Sequence, residues 1–181
     1  MDVNKKGVCK KMNKQILGCN IDFRSYETAE KALEKEIGND LLLLAVSEKT
    51  GVEPSAIQNW VKRGYVENAK GKKYSREQVA QIILLNNLKN ALALDEAAEL
   101  LAAVKKKTGA SSVDILGVLT SSLIRALRFN STDRDSLKSV INIELRNSEI
   151  NDSVSDFLLI AALSSLCGEY RRLAQREAKS L

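Results

Sequence analysis

At 181 residues the chain can hold one domain or two small ones, and 44% hydrophobic residues suffice for a core. Aromatics at 4% and a single proline, with Leu, Ala, Ile, Lys, Glu and Ser dominant, favour helix over sheet. No apolar run of about 18 residues exists, so no transmembrane helix is expected, and the absence of histidine removes the commonest general base and the usual zinc donors.

Cys9, Cys19 and Cys167 are odd in number, and none sits in a two-residue-spaced pair. Free thiols in a reducing cytoplasm are expected, with no metal and no cofactor. Cys9 and Cys19 are either a redox pair or inert. The N-terminus carries lysines but no apolar signal core.

Residues 1–24 show no clear period and read as a partly disordered segment or a short docking arm. Ser25 is placed to cap a helix reaching Ile37, with Ala29, Ala32, Leu33 and Ile37 on one face. Gly38 ends it, and Asp40 is placed to cap a second helix through Thr50. Gly51-Val52 breaks that helix, and Pro54 suits the first turn of the next, running from Ser55 to Arg63. Two short helices around a glycine turn are the sequence form of a helix-turn-helix. After Gly64, Tyr65-Val66 and Lys73-Tyr74 are expected to pair as a small β-ribbon wing around residues 68–71.

Ser75 then caps a helix, with Gln78 completing a capping box and an apolar stripe of Val79, Ile82, Ile83, Leu85 and Leu88. A further helix opens at Leu94-Asp95-Glu96 and closes at Lys105-Lys106-Lys107, where cations favour a helix C-terminus. Residues 109–112 form the candidate boundary. Beyond it lie helical patterns over residues 113–129, 133–146 and 153–179. A head ending near Lys107 is expected to fold alone, and the apolar helices after it to self-associate unless the head covers them.

Charge is lopsided. Between Lys62 and Arg76 stand Lys62, Arg63, Lys70, Lys72, Lys73 and Arg76 against the single acid Glu67, a net +5. The whole chain has 28 basic and 23 acidic residues, also +5, so the remainder balances at 22 against 22. Charge focused on one glycine-punctuated segment points to a polyanion, above all nucleic acid.

With these elements laid out, residues 42–101 resemble the DNA-binding head of MerR-type regulators. The matching residues are Thr50-Gly51-Val52, Ile57, Trp60, Lys62, Gly64, Tyr74 and the helix from Ser75. Asn59-Trp60-Val61-Lys62-Arg63-Gly64 and Lys72-Lys73-Tyr74-Ser75-Arg76-Glu77 are similar to segments of an uncharacterised bacterial family with such a head. Gln58-Asn59-Trp60 departs from the Arg-Tyr-Tyr usual in MerR proteins, and the long dimerising helix of that group is not evident. The resemblance implies DNA binding by analogy.

The expected fold is thus all-α: a winged helix-turn-helix in residues 25–108 and a helical region in 111–181 that dimerises or docks a partner. The expected function is a sequence-specific transcriptional regulator, not an enzyme, acting on double-stranded DNA as a homodimer in the cytoplasm, with no membrane partner. The alternative is a protein–protein adaptor that keeps the fold and acts on another regulator. Gln58 and Asn59 are candidates for reading bases, with Ser55 beside them. Lys62, Arg63, Lys70, Lys72, Lys73 and Arg76 are candidates for phosphate contacts. Trp60 reads as a core anchor.

Overall fold

The computed structural model describes residues 17–26, 28–38 and 40–179, so expectations for residues 1–16, Cys9 included, lie outside them. The described part of the expected arm is docked. Leu17, Cys19, Ile21 and Phe23 are buried, while Asn20 and Asp22 between them are exposed. This alternation lays one side of a bent strap on the core: the chain turns through residues 17–20 and enters a 3-10 turn at Phe23. Burial pushes the Cys19 thiol up to about 11, which keeps it protonated and unreactive at neutral pH.

The first helix, α1 (Ala29–Ile37), is capped by Thr28, whose Oγ1 accepts from the Lys31 N–H at 3.2 Å. Ser25 is not the cap: it lies in a 3-10 turn and donates to Asp22 Oδ2 at 2.8 Å. Residues Asp40–Leu42 do not begin a helix either. They form strand β1, and α2 (Leu43–Thr50) starts behind Leu42 without any side-chain cap. Pairing with a distant strand satisfies part of the backbone of residues 40–42, which outweighs Asp40's local capping preference.

The strap crosses the end of α2. Asn20 donates through its backbone N–H to Lys49 O at 2.9 Å and through Nδ2 to Glu48 O at 2.5 Å, satisfying two carbonyls that a helix end leaves open. Gly51 then turns the chain in the left-handed region, with φ 69°, and its N–H donates to Ser47 O at 2.8 Å. A Cβ there would sit 3.2 Å from Gly18 O of the strap, so glycine is required by both conformation and space. Helix α3 (Pro54–Lys62) follows with Pro54 at its first position.

The expected wing is built differently. Strand β2 (Lys73–Ser75) pairs antiparallel with β1, in the register Asp40 with Ser75, Leu41 with Tyr74 and Leu42 with Lys73. Tyr65-Val66 is not a strand. Instead Lys70 bridges Lys73 across a two-residue turn, Gly71-Lys72. Both turn residues have positive φ, 56° and 65°, as a tight primed hairpin turn demands.

Helix α4 (Arg76–Leu88) is the centre of the molecule. The Ser75 capping box forms as the sequence suggests, with Gln78 N–H on Ser75 Oγ and Ser75 N–H on Gln78 Oε1. Val79, Ala80, Ile82, Ile83, Leu84, Leu85 and Leu88 are all buried, so the helix is covered on every side rather than along one stripe. Helix α5 (Leu94–Thr108) ends at Gly109, and the chain bends by 104° into α6 (Ser112–Arg128). An antiparallel pair follows, α7 (Arg134–Arg146) and α8 (Ser155–Ala178).

Gly109 is therefore a corner within one core. Helix α6 packs on α1 and α4, and α8 packs on α4, α6 and α7. Ile115, Leu116, Leu119, Leu158 and Ala161 join Ile82 and Leu85 in a single apolar cluster. Asn87, fully buried on α4, donates Nδ2 to Ala161 O at 2.8 Å and accepts from Ser165 Oγ at 2.7 Å. Glu77 accepts from the N–H groups of Ser112 at 2.8 Å and Val113 at 3.2 Å, and from Lys105 Nζ at 2.7 Å, fastening the starts of α4 and α6 to the end of α5. Among the described residues no single helix is long and apolar enough to cross a membrane.

Candidate functional site

Helix α3 divides cleanly into two faces. Ile57 and Trp60 are buried, Trp60 to 2% exposure, while Ser55, Gln58, Asn59 and Lys62 face solvent. Four side chains on two overlapping i, i+4 pairs give a continuous polar surface along the helix. Trp60 is a core anchor, with Lys89 Nζ held 5.2 Å from its ring centroid.

Beyond α3 the chain is held down from α4. Gln81 Nε2 donates to Tyr65 O at 2.7 Å, and Gln78 Nε2 donates to Glu67 O at 2.8 Å and Asn68 O at 3.2 Å. Gln78 thus closes its own helix cap with Oε1 and ties down the loop with Nε2. The sequence reveals only the first of these roles, because the second depends on a loop folded back over the helix. The hairpin that follows presents Lys70, Lys72 and Lys73, all exposed. Lys72 holds a backbone conformation that non-glycine residues rarely adopt.

The six basic residues separate into two groups. Arg63 lies beside the Tyr65 ring, 4.7 Å from its centroid, and its NH2 meets Asp95 Oδ1 at 2.5 Å. The Tyr65 hydroxyl donates to the same oxygen, which raises the tyrosine's pKa. Asp95 stands in the first turn of α5, where the helix dipole favours a carboxylate. Arg63 therefore clamps α3 to α5. Arg76 is half-buried, with Nε donating to Gly38 O at 3.2 Å. Lys73 has one loose contact, Asp40 Oδ2 at 4.0 Å. Lys62, Lys70 and Lys72 form no ion pair among the described residues. Four lysines, rather than six cations, remain directed at solvent.

Gln58 of α3 and Lys72 of the hairpin line the same open groove, of about 530 Å³. Its apolar lining is Leu42, Leu43, Leu44, Val61, Ala69 and Tyr74. Leu42 is 59% exposed and Leu44 71%. These leucines gave no signal in the sequence, where a run of four reads as a buried helix start. Only the β1 pairing turns Leu42 outward beside Lys73. Among the described residues no group of three or more Cys, Asp and Glu side chains is placed to hold a metal ion.

Comparison with known proteins gives one positive finding. Residues 33–119 match the model of a family described as a domain of unknown function, DUF1836. The matched span runs from within α1 to within α6. It contains α2, α3, both strands, the hairpin and the central helix, and excludes α7 and α8. No curated protein and no solved structure matches the chain.

Proposed function

We propose that this protein is a sequence-specific DNA-binding transcriptional regulator with a MerR-like winged helix-turn-helix head. The observation that carries the reading is the joint display of a polar α3 face, Ser55, Gln58, Asn59 and Lys62, and a hairpin bearing Lys70, Lys72 and Lys73. In this reading α3 enters the major groove, where Gln and Asn can pair bidentately with adenine. The lysines hold flanking phosphates and set register. A single head reaches few bases, so the regulator acts as a homodimer on paired half-sites in the cytoplasm. Arg63 and Arg76 contribute to the shape of the head, through Asp95 and Gly38, more than to phosphate binding.

The salt dependence of binding tests this. Four lysines on phosphates give a slope of log affinity against log salt of about −3.6. The triple variant Lys70→Gln, Lys72→Gln and Lys73→Gln flattens it to about −0.9, with equal loss on all duplexes. Asn59→Ala and Gln58→Ala each cost ~1–3 kcal/mol on a selected site and far less on random DNA. A flat slope in the native protein removes the proposal. The adaptor reading is favoured by one observation, the pair of exposed leucines beside α3.

A further inference from the structure

We propose that the groove between α3 and the β-hairpin is a docking site for an acidic, amphipathic segment of a partner protein. The surface goes beyond the DNA-binding reading and does not depend on it. Two of the large hydrophobic side chains that the described residues leave exposed, Leu42 and Leu44, stand two positions apart on the rim of this one groove. Leu43, Val61 and Tyr74 continue the same apolar lining inward, half-buried or buried. Two exposed leucines over an apolar floor leave surface in water that a partner's side chains would cover. The volume, about 530 Å³, lies within the ~300–1,000 Å³ typical of clefts that take a bound ligand.

The chemistry of the lining selects the occupant. A phosphate backbone is held by cations and N–H donors, and leucine supplies neither. The groove is open to solvent, which suits the apolar face of a helix or turn laid into it. Its surroundings are basic. Lys72 is part of the lining, Lys62 follows Val61, Lys73 is the cross-strand partner of Leu42, and Lys70 bridges Lys73. The nearby acids are Asp40, loosely paired with Lys73, and Glu67, one residue before the lining residue Asn68. Four cations against two carboxylates favour an acidic partner and disfavour a basic one. That disfavours the first sixteen residues of this chain as the occupant, since they carry five lysines and one aspartate.

The test uses the full-length chain labelled with 15N and a synthetic peptide rich in glutamate, with leucines at positions i, i+4 and i+7. The expected result is saturable amide shifts centred on Leu42, Leu43, Leu44, Val61, Ala69 and Tyr74. The same peptide with serine for leucine leaves those amides unmoved. Leu42→Ser with Leu44→Ser weakens binding roughly tenfold or more, as loss of an anchor contact does, and circular dichroism checks that the fold is kept. Should that pair disturb the fold, Lys72→Glu replaces it and weakens the peptide by a similar factor. The proposal is overturned by an absence of shifts, by shifts centred elsewhere, or by equal shifts with both peptides, which would show charge attraction alone. It is also overturned if a DNA duplex moves the leucine amides and the peptide does not.

Discussion

Replacing Asn87 by alanine tests most directly whether the chain is one cooperative body. Asn87 lies on the central helix α4, and its two partners lie on α8, 74 and 78 residues further along the chain. Both hydrogen bonds are buried. Each contributes a net ~0.5–1.5 kcal/mol, and the partner groups left behind in a dry site add the cost of unsatisfied polar atoms. With the small cavity included, Asn87→Ala should cost ~2–4 kcal/mol, a large part of the ~5–15 kcal/mol typical of such proteins. Melting should fall by roughly 5–15 °C at ~2–4 °C per kcal/mol. Ser165→Ala should cost about 1 kcal/mol, and the double variant should show a coupling of ~0.5–1.5 kcal/mol, since only the Asn87–Ser165 bond is shared. Urea unfolding followed by circular dichroism and by Trp60 fluorescence gives both numbers. Trp60 lies on α3, outside the two helices that Asn87 joins, so a single cooperative body gives its signal the same midpoint as circular dichroism. A loss below 0.5 kcal/mol, or two separate transitions, would refute the single-core reasoning.

Other outcomes follow from the same contacts. A fragment ending at Thr108 should be largely unfolded and bind a dye specific for exposed apolar surface, because α6 and α8 cover α4; a well-dispersed amide spectrum from it would contradict this. Glu77 is held below its usual carboxylate range: burial alone would raise its pKa, but Lys105 and the Ser112 N–H outweigh that effect. Its contribution is complete above an ordinary carboxylate pKa and is lost as pH falls through the depressed native value; with solvent screening of its part-exposed carboxylate, Glu77→Gln should lower stability by no more than about 1 kcal/mol at neutral pH and by less in acid. Lys72→Gly relieves the left-handed backbone strain at the hairpin tip and should stabilise the protein by ~0.5–1 kcal/mol in chemical denaturation. The same substitution should weaken binding of an acidic peptide or DNA, so stability and binding move in opposite directions.

Most of the helices were legible in the sequence because their signals are local. Ser75 with Gln78, Pro54 after Gly51, and the lysines closing α5 act over one turn of chain, so the boundaries of α3, α4 and α5 follow from short-range chemistry. The apolar periodicity of α6, α7 and α8 located those helices, but not what covers them. That required the fold, in which α6 and α8 close over α4 and turn the apparent boundary at Gly109 into a corner. The sequence pattern places one wing strand at Tyr65-Val66, whereas Lys73–Ser75 pairs with Asp40–Leu42, because a three-residue β pairing is decided by a partner more than thirty residues away. Local preference made Asp40 a helix cap, and the tertiary ladder made it a strand. Of the basic candidates, the sequence determined the charge, which is additive. Only the structure decided its use: Arg63 on Asp95, Arg76 on Gly38, and four lysines left to solvent around two exposed leucines. Ion pairing and exposure depend on which distant side chains arrive, and composition carries no record of that.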